Sequence, residues 1–262
     1  RIGVRAGPDG IDPAYLALGH NVAATKNMFD TLVAVDDKLQ LIPALAESWR
    51  TVDDTTWEFK LRQGVKFHDG GDFTAADVKF SIERVPLVQG PDGGLTLYTR
   101  SIAGVEVVDP HTIRIRTITP HAALPQDMTR MPVVSSRIRP ESKTAEFNSG
   151  EAAIGTGPFR FVSWTPRGDL VMERFPGYWR GPAPWAKVTL VEISNDAARV
   201  AALLSNRVDF INYVPFSDVA RLRRERNFAT FEGESIYTFM LYPDMRADMT
   251  LPPMRQIPDH QR

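Results

Sequence analysis

The chain has 262 residues, of which 43% are hydrophobic and 24% are charged, a composition typical of globular proteins. Its 31 basic and 32 acidic residues leave a net charge of −1, which argues against a nucleic-acid binder that depends on neutralising phosphates. No uncharged apolar run reaches the roughly 18 residues of a membrane span, so we expect no transmembrane segment. The absence of cysteine excludes thiol catalysis, disulfides and cysteine-based metal sites.

The first residues predict a short strand followed by turns and a helix. The sequence opens at Arg1, and since arginine is not a start residue, we expect that a segment was removed upstream. Asn21 is predicted to cap a helix over residues 22–29, because its short side chain can accept a hydrogen bond from a free amide. In chain order, the predicted strands cover residues 2–6, 32–35, 39–42, 49–52, 56–61, 102–108, 112–118, 159–164, 170–174, 188–193, 209–213, 228–231 and 236–241.

The most regular pattern lies at residues 49–61 and predicts a β-hairpin with a turn at Asp53-Asp54. Its second strand places large apolar side chains at every other position, separated by Glu58 and Lys60. Because successive side chains of a strand point to opposite faces, one face should be buried and the other exposed. The residues expected on the buried face are Trp57, Phe59 and Leu61.

A helix is predicted from Thr74 to Val85, where Pro86 ends it. Thr74 and Asp77 have the spacing of a capping box, in which each side chain pairs with the other residue's backbone. Val78 and Ile82 lie on one face, as expected of a helix that packs against a sheet.

The carboxyl-terminal half reads as strands alternating with helices, the pattern of an α/β unit. Asn195 is predicted to cap one of these helices. A basic segment at residues 221–226 is interpreted as the solvated end of a second helix, where cations complement the helix dipole. The tail has no periodicity.

Two glycine-containing motifs are interpreted as turns rather than catalytic or metal sites. Residues 68–70 (HDG) read as a tight turn whose glycine supplies a positive φ. Residues 155–158 (GTGP) read as a bend, since no helix follows that would bind a phosphate at its amino terminus. The five histidines lack the helical spacing of a zinc site, and no nucleophile motif is present. We therefore expect no enzyme activity, no metal and no cofactor.

The connection at residues 15–20 (YLALGH) is apolar and contains a glycine. It lies between the first strand and the first helix. A buried connection of this kind would be costly unless its backbone amides found partners. Local packing and ligand binding both remain open as reasons for its composition.

Several sequence blocks in a fixed order resemble the family 5 extracellular solute-binding proteins, the receptors of ABC importers for dipeptides, oligopeptides, nickel and related solutes. The resemblance runs from about residue 2 to residue 242. The blocks are residues 45–49 (LAESW), 57–70 (WEFKLRQGVKFHDG), 73–84 (FTAADVKFSIER), 155–159 (GTGPF) and 173–179 (ERFPGYW).

The resemblance implies a mixed α/β fold of the type II periplasmic-binding-protein class. Residues 1–30 and 155–245 would form a first ligand-facing lobe, and residues 31–154 a smaller inserted lobe that does not usually face the ligand. The second ligand-facing lobe of the family would be missing here. Residues 246–262 would be an irregular tail.

The resemblance also suggests residues that contact the ligand. Leu18, Gly19 and His20 match a loop that offers backbone groups to the ligand in peptide-binding relatives. Tyr98 matches a region where relatives place an aromatic side chain against the ligand. Tyr242 lies where relatives turn toward the cleft, although its neighbours here depart from the family pattern.

The expected function is that of a substrate-binding component, which captures a peptide or other small solute and delivers it to an inner-membrane ABC permease. Its location would be the periplasm, or the outer face of the cell membrane through a lipid anchor. An alternative is the ligand-sensing domain of a transcriptional regulator with the same fold. An enzyme is the least favoured interpretation, because the sequence shows no recognisable nucleophile, paired catalytic base or set of metal ligands.

Overall fold

The computed structural model describes residues 1–15, 17–88, 90, 94–139, 141–225 and 227–231. The chain divides into one unit over Arg1–Pro215 and a second over Phe216–Arg262. The strands are β1 (Ile2–Val4), β2 (Val33–Val35), β3 (Leu41–Pro43), β4 (Ala46–Asp53), β5 (Thr56–Leu61), β6 (Ile102–Asp109), β7 (Thr112–Thr117), β8 (Phe159–Trp164), β9 (Asp169–Arg174), β10 (Lys187–Glu192) and β11 (Phe210–Ile211). The α-helices are α1 (Gly19–Thr25), α2 (Ala75–Arg84), α3 (Thr96–Thr99), α4 (Leu124–Asp127), α5 (Thr144–Ser149), α6 (Asp196–Leu204) and α7 (Phe216–Leu222), and a short 3₁₀ helix covers Val85–Leu87.

A five-stranded mixed sheet joins the start of the chain to its second half, in the order β11-β1-β10-β9-β8. β1 runs parallel to both of its neighbours, whereas β8, β9 and β10 are antiparallel. Leu170 and Met172 alternate with more exposed residues along β9 and are fully buried. They share a core with Met28 and Phe29, which follow α1, and with Phe147 of α5.

A four-stranded antiparallel sheet, in the order β4-β5-β7-β6, contains the hairpin predicted at residues 49–61 and a second hairpin formed by the strands predicted at 102–108 and 112–118. Phe59 and Ile113 are paired across β5 and β7 and are fully buried. They lie in one core with Val78 and Ile82 of α2, so the predicted packing of this helix on the hairpin is confirmed. The Thr74 N–H donates to Asp77 Oδ2 at 2.8 Å, as the capping pattern predicted.

The alternation along β5 is only partly as predicted. Lys60 is exposed and Leu61 is buried, but Trp57 is half-buried, and Glu58, expected to face water, is 3% exposed. The reason is cross-strand pairing on the outer face of the sheet. Arg50 of β4 and Arg114 of β7 approach its two carboxylate oxygens at 2.8 and 3.0 Å, and their long side chains exclude water from it.

The first helix differs from its prediction. α1 begins at Gly19, three residues earlier than expected, and Asn21 lies inside it, buried, instead of capping it. The Asn21 side chain is used instead by the preceding loop, described below. By contrast, Asn195 caps α6 as predicted, its Oδ1 accepting the Ala198 N–H at 2.9 Å.

In the second unit, α7 is the only helix or strand among the described residues, which end at residue 231. The strand predicted at residues 228–231 is therefore wrong, and the one predicted at 236–241 lies outside the described residues. The lobe boundaries at 1–30, 31–154 and 155–245 remain a prediction. The two sheets do draw on different stretches of the chain, with residues 46–117 forming the four-stranded sheet.

Candidate ligand-binding loop

The connection from β1 to α1 is held by hydrogen bonds to its backbone amides. Asn148 Oδ1 accepts the Ile11 N–H at 2.8 Å, and Glu192 Oε2 accepts the Gly7 N–H at 3.2 Å. Because residues 10–14 of this connection are buried, such partners replace the water that these amides lose. The loop is thereby fixed to α5 and to the end of β10.

Asn21 holds the middle of the same loop from within α1. Its Oδ1 accepts the Asp9 N–H at 3.0 Å, and its Nδ2 donates to the Gly10 carbonyl at 3.2 Å. The side-chain amide of Asn21 thus pairs with the N–H of Asp9 and the carbonyl of Gly10, as the backbone of a neighbouring strand would. The side chain fixes the position of Asp9 relative to α1.

A buried ion pair holds the carboxyl-terminal side of the loop. Asp12 accepts two hydrogen bonds from Arg84 of α2, at 3.0 and 2.6 Å, and both side chains are at most 2% exposed. Arg84 also donates to the Ser142 carbonyl at 2.9 Å and lies 4.5 Å from the centre of the Phe147 ring. Such two-point pairing fixes geometry as well as charge.

The tip of the loop is exposed, in contrast to its base. Leu18 is 50% exposed, and Gly19 is exposed with it at the start of α1. The Leu18 carbonyl accepts the Val22 N–H at 3.0 Å, so it is occupied by the first helical turn. A rigid base that presents an apolar tip is suited to contact with another surface or with a small molecule.

His20 is the last residue of this tip and is paired with Asp9 of the same loop. Nε2 of His20 lies 2.8 Å from Oδ2 of Asp9, and the two side chains are 29% and 60% exposed. Leu18, Gly19 and His20, which are consecutive in the sequence, remain predicted ligand contacts, and the structure adds Asp9 as the partner of His20.

Tyr98 lies on a different element, α3, and is partly buried against the core of the four-stranded sheet. The segment before α3 nevertheless approaches the loop. Gly94 has φ +55°, and a Cβ added there would lie 2.6 Å from the Ala14 carbonyl oxygen. Tyr242 lies outside the described residues.

A cavity of about 680 Å³ opens beside the anchored part of the loop. Its walls combine loop residues with the end of the 3₁₀ helix and the start of α5. The residues at its wall include acidic, basic, hydroxyl and amide types as well as the apolar Leu87, Val88 and Ala145. The lining residues are Asp9, Asp12, Tyr15, Leu87, Val88, Glu141, Ser142, Lys143, Thr144, Ala145 and Asn148.

The motif at residues 68–70 forms the predicted turn. Gly70 has φ +86°, and its N–H donates to the Phe67 carbonyl at 2.9 Å. Asp69 Oδ1 accepts the Gly71 N–H at 3.0 Å and pairs with Arg137 at the same distance. Within the described part of the chain, no group of three or more histidine and acidic side chains could hold a metal ion.

The amino-acid sequence matches the family model described as "Bacterial extracellular solute-binding proteins, family 5 Middle" over residues 40–257. The chain belongs to this family. It is 32% identical over 233 residues to the glutathione-binding protein GsiB of Pectobacterium atrosepticum, and the match covers 86% of this chain and 44% of the relative.

Solved structures share the fold of this chain. NikZ from Campylobacter jejuni, determined in complex with Ni(L-His), shares the fold with a TM-score of 0.77 at 24% identity, over 87% of this chain and 45% of its own. The periplasmic binding protein DppA from Helicobacter pylori, determined with the peptide STSA, gives a TM-score of 0.74 at 26% identity, over 86% and 48%. The predicted fold class is confirmed, and the chain spans less than half the length of these relatives.

The family match does not identify the residues that hold the β1–α1 loop in place; the structure does. Sequence reasoning selected the tip but missed Asp9, Arg84 and Asn148, and it gave Asn21 the wrong role. Asp12 and Arg84 are 72 residues apart, and neither stands in a motif that identifies a partner. None of the helices in the described ranges has the length and hydropathy needed to span a membrane.

Proposed function

We propose that this protein is the substrate-binding component of an ABC importer and that it captures a peptide or another small solute. The observation that carries the proposal is the family match over residues 40–257. The relatives described above are named for binding glutathione and for complexes with a peptide and with Ni(L-His). The protein would act by binding and release, with no chemical step of its own.

The location and partner follow from this role. A solute-binding protein meets its solute outside the inner membrane and passes it to the permease there. We place the protein in the periplasm, or on the outer face of the membrane through a lipid anchor. None of the relatives described above is a transcriptional regulator, and no observation favours that alternative.

The ligand contacts would include the tip of the β1–α1 loop at Leu18, Gly19 and His20, with Tyr98 and Tyr242 as further contacts. The loop supports this because its base is fixed by buried partners while its tip stays exposed. A site that is rigid before binding loses less conformational entropy when it binds its ligand.

The proposal is tested by measuring the solutes that the protein carries. Native mass spectrometry of the purified protein, followed by calorimetric titration with each released compound, should identify a ligand with micromolar or tighter affinity. Deleting the gene should reduce cellular uptake of that compound. A protein that releases no compound, binds none of a panel of peptides and glutathione, and leaves uptake unchanged when deleted would contradict the proposal.

A pair of matched variants tests the loop itself. Leu18→Glu places a charge at the proposed contact, whereas Leu39→Glu places the same charge on a leucine of similar exposure, 59%, in the turn between β2 and β3. We expect the first variant to weaken binding at least tenfold and the second to leave it unchanged. Equal affinity of both variants would remove the loop tip from the site.

A further inference from the structure

Three strands of the five-stranded sheet end at one edge, and the β1–α1 loop begins there. β1 is parallel to both β10 and β11, so the carboxyl ends of all three strands lie side by side. Asn212, which follows β11, accepts the Arg5 N–H on its Oδ1 at 3.1 Å and donates its own N–H to the Gly3 carbonyl at 3.2 Å. The residues after β11 are therefore joined to the start of the loop. Ligands of open α/β sheets commonly bind outside an edge of this kind.

Tyr213, at this edge, combines an unusual backbone conformation with an exposed side chain. Its φ is +52°, in the left-handed region that a bulky residue rarely adopts. The side chain is 64% exposed and makes no hydrogen bond or ring contact within the described ranges. A conformation of this kind costs free energy and persists only where the surrounding structure imposes it.

A fully buried arginine imposes the conformation of Tyr213. Arg199 of α6 donates from Nη2 to the Tyr213 carbonyl at 2.8 Å and from Nε to the Asn212 carbonyl at 3.0 Å. Its Nη1 donates to the Ile193 carbonyl, just after β10, at 2.9 Å. The guanidinium is 0% exposed, and Asp196 pairs with it at 2.7 Å. One side chain therefore joins the carboxyl ends of two strands and holds the backbone from which the Tyr213 ring projects.

We propose that Tyr213 is a ligand-contacting residue, that its ring packs against an apolar or aromatic side chain of the ligand, and that Arg199 is its positioning residue. A ring that is held in place before binding loses little conformational entropy when the ligand arrives. Aromatic pairs are also favourable beyond the area that they bury. This inference rests on the proposed function and names a specificity-determining residue and a ligand chemistry for the same site.

Leu39 provides a matched control for the backbone conformation. Its φ is +61° and its side chain is 59% exposed, but it lies in the turn between β2 and β3. Glycine adopts a positive φ without strain. Tyr213→Gly and Leu39→Gly should therefore both fold, with thermal unfolding midpoints at least as high as that of the wild type.

The binding measurement compares peptides with and without an aromatic side chain. The probes are tri-alanine and the three tripeptides in which one alanine is replaced by phenylalanine. In calorimetric titrations, wild-type protein and Leu39→Gly should prefer at least one phenylalanine peptide to tri-alanine by about threefold or more, the range of an aromatic pair. Tyr213→Gly should lose this preference and bind tri-alanine as before, whereas Tyr213→Phe, which keeps the ring, should retain it.

Arg199→Lys tests the positioning role. Lysine keeps the charge but has one nitrogen, so it cannot bond the carbonyls after both strands in the manner of a planar guanidinium. We expect this variant to lose the preference for phenylalanine, and the double variant with Tyr213→Gly to lose no more than either single variant. Partial unfolding would lower the number of binding sites for all four peptides and leave the ratio of their affinities unchanged. A preference that survives in Arg199→Lys would overturn the role of Arg199.

The outcomes separate the inference from the function on which it rests. An unchanged preference in Tyr213→Gly overturns the inference and leaves the transport function standing, whether or not Arg199→Lys folds. A preference lost equally in Leu39→Gly, or absent from the wild type, also overturns it. A wild-type protein that binds none of the four peptides and releases no solute in native mass spectrometry would contradict the inference and the proposed function together.

Discussion

His68 and Gly155 are joined by two hydrogen bonds, one through the His68 backbone and one through its imidazole, although 87 residues separate them. The backbone N–H of His68 donates to the Gly155 carbonyl at 2.9 Å, and the Gly155 N–H donates to Nδ1 of the His68 ring at 3.3 Å. Nε2 of the same ring bonds the Gly157 carbonyl at 3.0 Å. The ring must therefore be neutral, with its proton on Nε2, to satisfy both glycines.

We predict that His68 makes the protein less stable in acid. Burial lowers the pKa of His68, and Arg160 lowers it further, while the backbone carbonyls of Gly157 and Ala153 and the charge of Asp69, which favour the charged ring, act against this. As the pH falls below about 6.5, the unfolded chain takes up this proton before the folded one, so stability declines. Denaturant unfolding at pH 7.5 and pH 5 should show a smaller difference for His68→Gln than for the wild type.

The control is Asn27→Ala, which removes no titratable group and should retain the wild-type difference between the two pH values. If His68→Gln and the wild type lose the same stability in acid, protonation of His68 is not the cause. The proton uptake would then have to be assigned to other groups.

The Asp12–Arg84 pair should be among the most sensitive positions in the protein. Arg84→Met leaves a buried carboxylate without its partner, for which the expected cost is about 3–5 kcal/mol of unfolding free energy. The exposed pair Arg139–Glu146, with an N–O distance of 2.6 Å, provides the comparison, and Arg139→Met should cost less than about 1 kcal/mol. Urea unfolding of both variants measures the difference, and similar losses would show that burial does not control the strength of the first pair.

A structural feature of this protein can be predicted from the sequence when the interactions that form it join residues close together along the chain. The hairpins at 46–61 and 102–117 could be predicted because alternation and turns are local, and so could the Thr74 cap of α2. Asp30 illustrates what could not be predicted. It accepts hydrogen bonds from Thr156 Oγ at 3.0 Å and Trp179 Nε1 at 2.9 Å, residues 126 and 149 positions away.

In the candidate site, too, the local features could be predicted and the contacts between distant residues could not. The tip at residues 18–20 could be proposed from its apolar composition and the family resemblance. The residues that make its base rigid, Asn21 and Arg84, act through side chains whose partners depend on the tertiary fold. Asn21 also shows how a local rule fails, because its amide bonds Asp9 and Gly10 instead of capping the helix in which it lies.

A truncation in the four-stranded sheet should separate stability from ligand binding. Phe59 is fully buried, so Phe59→Ala should cost roughly 3–5 kcal/mol through lost burial and the cavity left behind. If the sheet does not face the ligand, the affinity of the folded variant should barely change. Chemical unfolding and calorimetric titration, done below the unfolding transition, measure the two quantities. A large loss of affinity with the fold intact would place this sheet at the ligand site.

The final prediction concerns Asn21 and the stiffness of the loop. Asn21→Ala removes the acceptor of the Asp9 N–H and the donor to the Gly10 carbonyl, leaving two backbone groups without partners. We expect a loss of about 1–3 kcal/mol in unfolding free energy and faster hydrogen exchange of the Asp9 amide. Asn27→Ala is the control, because Asn27 donates only to the carbonyls of residues 23 and 24 on α1. Exchange at Asp9 that stays slow in Asn21→Ala would show that the loop is held mainly by Asn148 and the Asp12–Arg84 pair, since these contacts remain in the variant.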